Sequence, residues 1–490
     1  MTRTLARIGF LVMFTVGLAG PAGADTPASA PSDDPIAVLR HQLEAVQTEL
    51  RELAQQNKEL VARQAALEQE LRQQRAPVSP APPAMVAAPS AAVSPADLTA
   101  AAVTPAPPLA SENVRLWGYG EAYYANPTSD HANAQADLAR AVFGIGYLFD
   151  ERTEFNSEFE IEHAVASASD VGEFEVEQFY VDHQVSERVG VRAGLFLMPF
   201  GMLNEHHEPT NYYGVQRNFI ETLIIPSTWR EGGVGVHGNT EAGIDWNVGL
   251  TTGFDLSKWN FAPEFPPYTT ALDLENSHSA PLQATHQELA LANAHDLSQY
   301  LSIRYSGIPG FSVGAAISTG KAVPVPAPPN APLPDNQRVT LWEGHARWTP
   351  GGFDLSALYA RGTISNLAAV NAAVPGSPNP IPSSFYGYFL QGAYNLWEKN
   401  EYRLAPFVRY ERYDLGASYE GTPGPAIPIG LVPISAAPGQ YGYWPQNQDR
   451  VWTTGANFYV TPHVVLKADY QWFHVNTDFN RIDLGLGLSF

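Results

Sequence analysis

Two adjacent histidines, four carboxylates and two arginines crowd the stretch FGMLNEHHEPTNYYGVQRNFIETLIIPSTWREGG, Phe200 to Gly233. It has neither a helical nor a strand period. Side chains of these types can chelate a metal, move protons in catalysis, or set the charge of a narrow passage. Neighbouring histidines in extended chain point to opposite sides, so His206 and His207 do not share one ion, and zinc sites use other spacings. A catalytic set needs a nucleophile beside a base that a third group orients. The sequence signals no such set, and it has no HExxH. The passage reading is left, and it depends on the elements around the stretch.

The chain has 490 residues, no cysteine, 16% charged residues and a formal charge of −22. Absence of cysteine fits an envelope compartment that does not rely on disulfides. Arg3 and Arg7 precede the apolar run IGFLVMFTVGLAG, and AGA follows at Ala22 to Ala24. A basic start, a short apolar run and small residues at its end predict a signal peptide over 1–24. After a short segment, 25–35, a 3-4 heptad runs from 36 to 71. Leu39, Val46, Leu53, Leu60 and Leu67 hold one seam position; Ile36, Leu43, Leu50, Asn57, Gln64 and Leu71 hold the other. That spacing predicts a coiled coil over 36–75, with Asn57 and Gln64 pinning its register. Its oligomer number is left open. The Pro/Ala-rich stretch 76–110 cannot form a packed core and reads as a semi-rigid linker.

From 111 to 490 the texture is short alternating segments separated by turns. Ile482, Leu484, Leu486, Leu488 and Phe490 alternate with Arg481, Asp483, Gly485, Gly487 and Ser489. Trp342, Gly344, Ala346 and Trp348 alternate with Glu343, His345 and Arg347. Tight turns at 149–154, 186–189, 239–244, 307–310, 349–352, 397–401 and 461–463 alternate with longer connections, notably 198–231, 255–297, 321–336, 364–383 and 414–449. Short turns alternating with long loops mark an outer-membrane barrel. Seven turns and eight loops join sixteen strands. The predicted fold is all-β: a sixteen-stranded antiparallel transmembrane barrel behind an α-helical coiled coil.

A barrel of this size encloses water, so charges on the non-lipid face line it. Alternation puts Glu158, Glu160, Glu162, Glu173, Glu175 and Glu177 on the inner face of one acidic hairpin, with Glu154, Asp245, Glu343, Asp354, Glu411, Asp469 and Asp483 also inward. Arg192, Arg304, Arg347, Arg403, Arg409, Arg481 and Lys467 join them, mostly on later strands. Opposite signs on opposite walls predict a transverse field across the lumen.

The segment from Leu195 to Val236, with its PFG, its NE and HEP, its YGV, and its ETLIIPSTW followed by EGG, resembles the third-loop region of the phosphate-selective porin O and P family. With the strand pattern and terminal Phe490, the resemblance spans about 114 to 490. It implies a homotrimeric channel in outer-membrane lipid whose third loop folds inward and narrows the pore. On this reading Glu205, His206, His207, Glu208, Arg217, Glu221, Arg230 and Glu231 form the constriction rim. Small anions such as phosphate, or other small hydrophilic solutes, diffuse through; no cofactor, metal or nucleic acid is implied. One feature opposes a phosphate filter: residues 111–490 hold 40 Asp plus Glu against 20 Lys plus Arg. The coiled coil falls on the periplasmic side, where it could hold subunits together or reach a periplasmic or cell-wall partner. The rival functions are an envelope tether and a barrel-embedded hydrolase.

Overall fold

The computed structural model describes residues 113–490 apart from 130, 165–171, 262–279, 328–331, 375–376, 378, 422–430, 434–440, 444–447 and 476. The signal peptide, the 25–35 segment, the coiled coil and the linker therefore lie outside the described residues.

Sixteen long strands form one sheet. They are β1 (Val114–Pro127), β2 (Gln135–Leu148), β3 (Thr153–Glu162), β4 (Phe174–Ser186), β5 (Val189–Leu197), β6 (Arg230–Asn239), β7 (Ile244–Thr251) and β8 (Ser298–Ile308). The second half holds β9 (Phe311–Lys321), β10 (Arg338–Trp348), β11 (Phe353–Ser365), β12 (Pro382–Tyr394), β13 (Tyr402–Tyr419), β14 (Gln448–Thr461), β15 (Val464–Phe473) and β16 (Arg481–Ser489). Each pairs antiparallel with the next, and β16 closes on β1 from Tyr119↔Ser489 to Pro127↔Arg481. Closure removes both edges of this sheet, which a lipid environment demands. The seven turns and eight loops fall where alternation puts them. The turn before β13 differs slightly: Trp397–Lys399 extends it as a short strand paired to Tyr402–Leu404.

Alternation along the strands separates the faces. Leu484 is 49% exposed while its neighbour Asp483 is 0% exposed. The outer face carries bare Leu, Ile and Val and a set of aromatic rings. Trp348, Phe353, Tyr394, Trp397 and Tyr402 ring the turn end, and Phe353 and Tyr394 lie 4.7 Å apart. Exposed apolar surface this extensive is stable only against lipid.

The inner face departs from the expected polar wall. At the loop ends of β10 to β15 the inward positions are apolar: Val339, Leu341, Leu358, Ile364, Phe385, Tyr413, Leu415, Val451 and Phe473 are all buried. They form one core cluster with Phe200, Phe219, Ile220, Leu223, Ile224, Ile225 and Trp229 of the third loop (198–229) and with Phe254, Leu256, Trp259 and Leu282 of the fourth (252–297). The reason is burial: two long loops folded into the lumen bring apolar side chains that need an apolar wall. This barrel carries a hydrophobic core inside itself.

Candidate functional site: the third loop and the lumen

The third loop enters at Pro199–Phe200–Gly201. Gly201 has φ +67°, and a Cβ there would lie 2.2 Å from Glu221 Oε1, so glycine is required. Glu221 is the loop's staple. It accepts from Met202 N (2.6 Å), Leu203 N (2.8 Å) and Asn218 Nδ2 (2.7 Å), and burial raises its pKa. The helical turn Ile220–Ile224 then lays its isoleucines on β12, where Gly387 makes room; a Cβ there would meet Ile220 Cδ1 at 2.7 Å.

Wall side chains hold the loop's backbone. Asp469 accepts from Val215 N (2.6 Å), Glu411 from Phe219 N (2.7 Å) and Asn457 from Gly214 N (3.1 Å). Arg409 donates to Tyr213 O (3.0 Å) and Arg140 to His207 O (2.6 Å). Each charged bond of this kind contributes on the order of 1.5–3 kcal/mol. Inward carboxylates of β13 and β15, read from sequence as water-lining, are loop anchors.

The eight rim residues separate into two groups. Glu205 and His206 are exposed and face open space, Glu205 lying 3.9 Å from Arg192 Nη1. Glu221, though buried, also touches a cavity. The others hold structure. His207 is buried; its Nδ1 lies 2.9 Å from Asn204 O and its Nε2 2.6 Å from Tyr119 Oη. Burial, helped by Arg217 and Arg140, pushes its pKa down to about 3. The two histidines do point apart. Glu208 accepts from Asn211 (2.6 Å), and Arg217 donates to Ser227 (2.9 Å) and Thr228 (3.0 Å) within the loop. Arg230 and Glu231 start β6 instead of ending the loop. Arg230 pairs with Glu175 and with Glu288 (2.9 Å), and Glu231 accepts from Trp229 Nε1 (3.2 Å) and from Thr252.

Of the acidic hairpin, Glu158, Glu160 and Glu177 are buried, Glu162 and Glu175 half-buried, and Glu173 is exposed ahead of β4. Glu158 accepts from Trp117 Nε1 (2.6 Å) and from Gln178. The arginines mostly meet local partners: Arg192 with Asp182 (3.1 Å), Arg304 with Asp245 (3.1 Å), Arg347 with Asp354 (2.6 Å), Arg409 with Glu411 (2.7 Å) and Arg481 with Asp483 (2.9 Å). Arg403 stacks 3.8 Å over the Tyr459 ring. Strand direction puts Glu160, Glu162, Glu175 and Glu177 toward the loop end, and Arg192, Arg304, Arg347 and Arg403 toward the turn end. These two sets are thus separated along the barrel axis.

Two cavities open on the turn side of the third loop. One of about 710 Å³ is lined by Arg347, Arg403 and Arg409 with Glu221 and Asp354, among His206, Asn211, Tyr213, Gln391, Asn395 and Tyr459. One of about 320 Å³ is lined by Arg188, Arg192 and Arg304 with Glu205 and Asp245, beside His237 and His345. Gln391, His237, His345 and Tyr459 share the inward alternation that identified the charged wall residues, so the sequence did hold a signal for them. Arg188 sits in a tight turn, which alternation does not cover.

The sequence Gly310 to Gly314 has the GxSxG spacing of a hydrolase elbow. Ser312 lies in a hairpin on β9, however, and not on a strand-to-helix turn, so the geometry that exposes such a nucleophile is missing.

A family model, phosphate-selective porin O and P, matches residues 114–480. The chain belongs to that family. It is an outer-membrane channel for small solutes or ions. An uncharacterised protein of Aquifex aeolicus is 28% identical over 368 residues, 73% of this chain and 75% of that protein. Among solved structures, the anion-selective porin from Comamonas acidovorans is 11% identical over 77% of this chain and 99% of its own, at a TM-score of 0.46. The outer-membrane channel DcaP of Acinetobacter baumannii is 14% identical over 78% and 99%, at 0.43. These likenesses are slight, and the assignment stands on the family match and the barrel itself.

Proposed function

We propose that this porin passes small hydrophilic solutes by passive diffusion through a third-loop constriction, with a preference for small anions such as phosphate. The observation that carries the preference is the lining of the turn-side cavities. Each sets three arginines against two carboxylates, in a barrel region where acids outnumber bases two to one. The acidic excess is spent elsewhere, in the loop-side hairpin and in loop anchors. A solute meets local potential, not net charge. No reaction is assigned.

The test is the zero-current potential of single channels in a planar bilayer under a KCl gradient, with phosphate added as blocker. The expected result is anion preference that moves toward cations in the Arg347→Gln/Arg403→Gln double variant. A cation-selective wild type indifferent to that change would overturn the anion preference.

The heptad supports a second element of the proposal. Residues 36–75 form a periplasmic coiled coil, whose heptad stretch 36–71 is about 50 Å long, that helps to hold a homotrimer and gives reach toward a periplasmic or cell-wall partner. Deleting 25–110 is expected to leave conductance unchanged while weakening the oligomer or its cell-wall association. Unchanged assembly and association would remove the tether role.

A further inference from the structure

Glu160 and Glu175 stand directly opposite each other on β3 and β4, and Glu162 follows two residues along the same face. One carboxylate oxygen from each of the three lies within 4.8 Å of the other two. Two oxygens bound to one calcium are at most about 5 Å apart, twice the metal–oxygen distance. The spacing therefore fits a common ion.

A second observation points to a ligand. Beside this trio, Glu177 follows Glu175 by two residues on β4, at the bulge opposite Glu158 and Phe159, and its carboxyl contacts that of Glu160. Glu177 is 0% exposed, and its Oε1 accepts no hydrogen bond; His207 Nε2 lies 3.4 Å from it, but that imidazole is held neutral with its Nδ1 on Asn204 O. Its Oε2 lies 3.0 Å from Tyr119 Oη, whose single proton is also within reach of His207 Nε2 at 2.6 Å. The hydroxyl can serve only one of them. A buried carboxylate with so few donors, pressed against a second carboxylate, calls for positive charge. Arg230, paired with Glu175 and Glu288 at the rim of the cluster, and Arg140 supply part of it at a distance, but neither donates a hydrogen bond to Glu177.

We infer that Glu160, Glu162 and Glu175 bind a hard divalent cation, calcium before magnesium, with Glu177 as the charge behind them. Oxygen-only donors exclude the soft metals, and three side chains on a pleated pair suit calcium's flexible coordination better than magnesium's strict octahedron. Such an ion would clamp β3 to β4 at the loop end of the lumen, independently of which solute the channel passes.

Calorimetric titration of Ca²⁺ into the full-length, detergent-solubilised protein tests this. Binding is expected in wild type and in Glu173→Gln, and is expected to be lost in Glu160→Gln and in Glu162→Gln. Glu177→Gln should weaken it on the order of tenfold, as an outer partner does. Tb³⁺ luminescence excited through tryptophan, displaced by Ca²⁺, gives a second reading on wild type alone, with Trp117 hydrogen-bonded to Glu158 on the same strand. Absence of Ca²⁺ and Mg²⁺ binding would overturn the site. So would equal binding in wild type and Glu160→Gln, which would put the ion elsewhere. If the carboxylates share protons instead, the Gln variants gain heat stability and no divalent effect is seen, which also overturns it.

Discussion

The loop end and the turn end of this lumen are built on opposite plans. At the loop end, inward side chains of β10 to β15 are apolar and pack against the third and fourth loops. At the turn end, inward side chains of the same strands are mixed: arginines and other polar groups line open cavities, and Ala393, Ala405 and Phe407 form only a small apolar cluster with Tyr213 of the third loop. The same strands supply both, switching character near Glu343 on β10 and Arg409 on β13. A strand alternates between faces, but nothing in the pleat requires its inner face to stay wet along its whole length. What covers the position decides, and here the cover is a loop.

The comparison breaks most decisively at the dry end. Replacing Ile220 and Ile224 by aspartate puts two charges into fully buried positions. That costs the docked loop more than ~4 kcal/mol, the range of buried unpaired charge. The sheet's own hydrogen bonds are untouched, so the barrel still closes. Conductance in a planar bilayer should rise as the loop leaves the wall, and heat-modifiable migration on a gel should confirm the barrel. Unchanged conductance in a folded double variant would mean that the loop does not limit passage.

Which end is dry was poorly legible in the sequence, although the sixteen strands were plain. Strand number follows from period 2 and from turn residues, both local. The filling of the lumen is not local. Val339 and Leu341 alternate with Thr340 and Trp342, so both faces read as apolar and neither announces a loop against it. The third loop has no period to read, and its family marks say that it folds inward without saying which residues hold it. Hence a sequence reading puts Arg217, Glu221 and Glu231 on one charged rim, whereas each bonds within or beside the loop and, of the three, Glu221 also lines the larger cavity. His206 and His207 were better served, because their divergence needs only extended backbone. The charge total is limited for a different reason: a sum over residues carries no axis, and the acidic hairpin and the cavity-lining arginines lie toward opposite ends.

A smaller effect sharpens the dry side by pH. His207 faces Tyr119 of β1, Arg140 of β2, Glu177 of β4 and Arg217 of its own loop. Its folded pKa, about 3, lies below the ordinary 6.5. Between those values the unfolded chain binds the proton and the folded chain does not, so this group's stabilisation is full above pH 6.5 and falls as pH drops toward 3. The slope is about 1.4 kcal/mol per pH unit. Other buried groups titrate too, so the measurement is a difference: urea midpoints of wild type and His207→Gln at several pH values. From pH 6.5 to 4.5 the wild type should lose up to about 3 kcal/mol relative to the variant. Parallel profiles would show that His207 is not held neutral.

The smallest effect belongs to the wet end. Arg304 pairs with Asp245 while 47% and 42% of the two side chains stay exposed, whereas Arg409 and Glu411 are 2% and 0% exposed. An exposed pair contributes about 0–1 kcal/mol, and removing one partner of a buried pair costs ~3–5 kcal/mol. Arg304→Gln should therefore leave the urea midpoint almost unmoved and shift the zero-current potential slightly toward cations. Arg409→Gln should lower the midpoint clearly, since its guanidinium also holds Tyr213 O of the loop. If Arg304→Gln destabilised as much as Arg409→Gln, the turn end would be packed like the loop end. The division of this lumen into a core and a passage would then be lost.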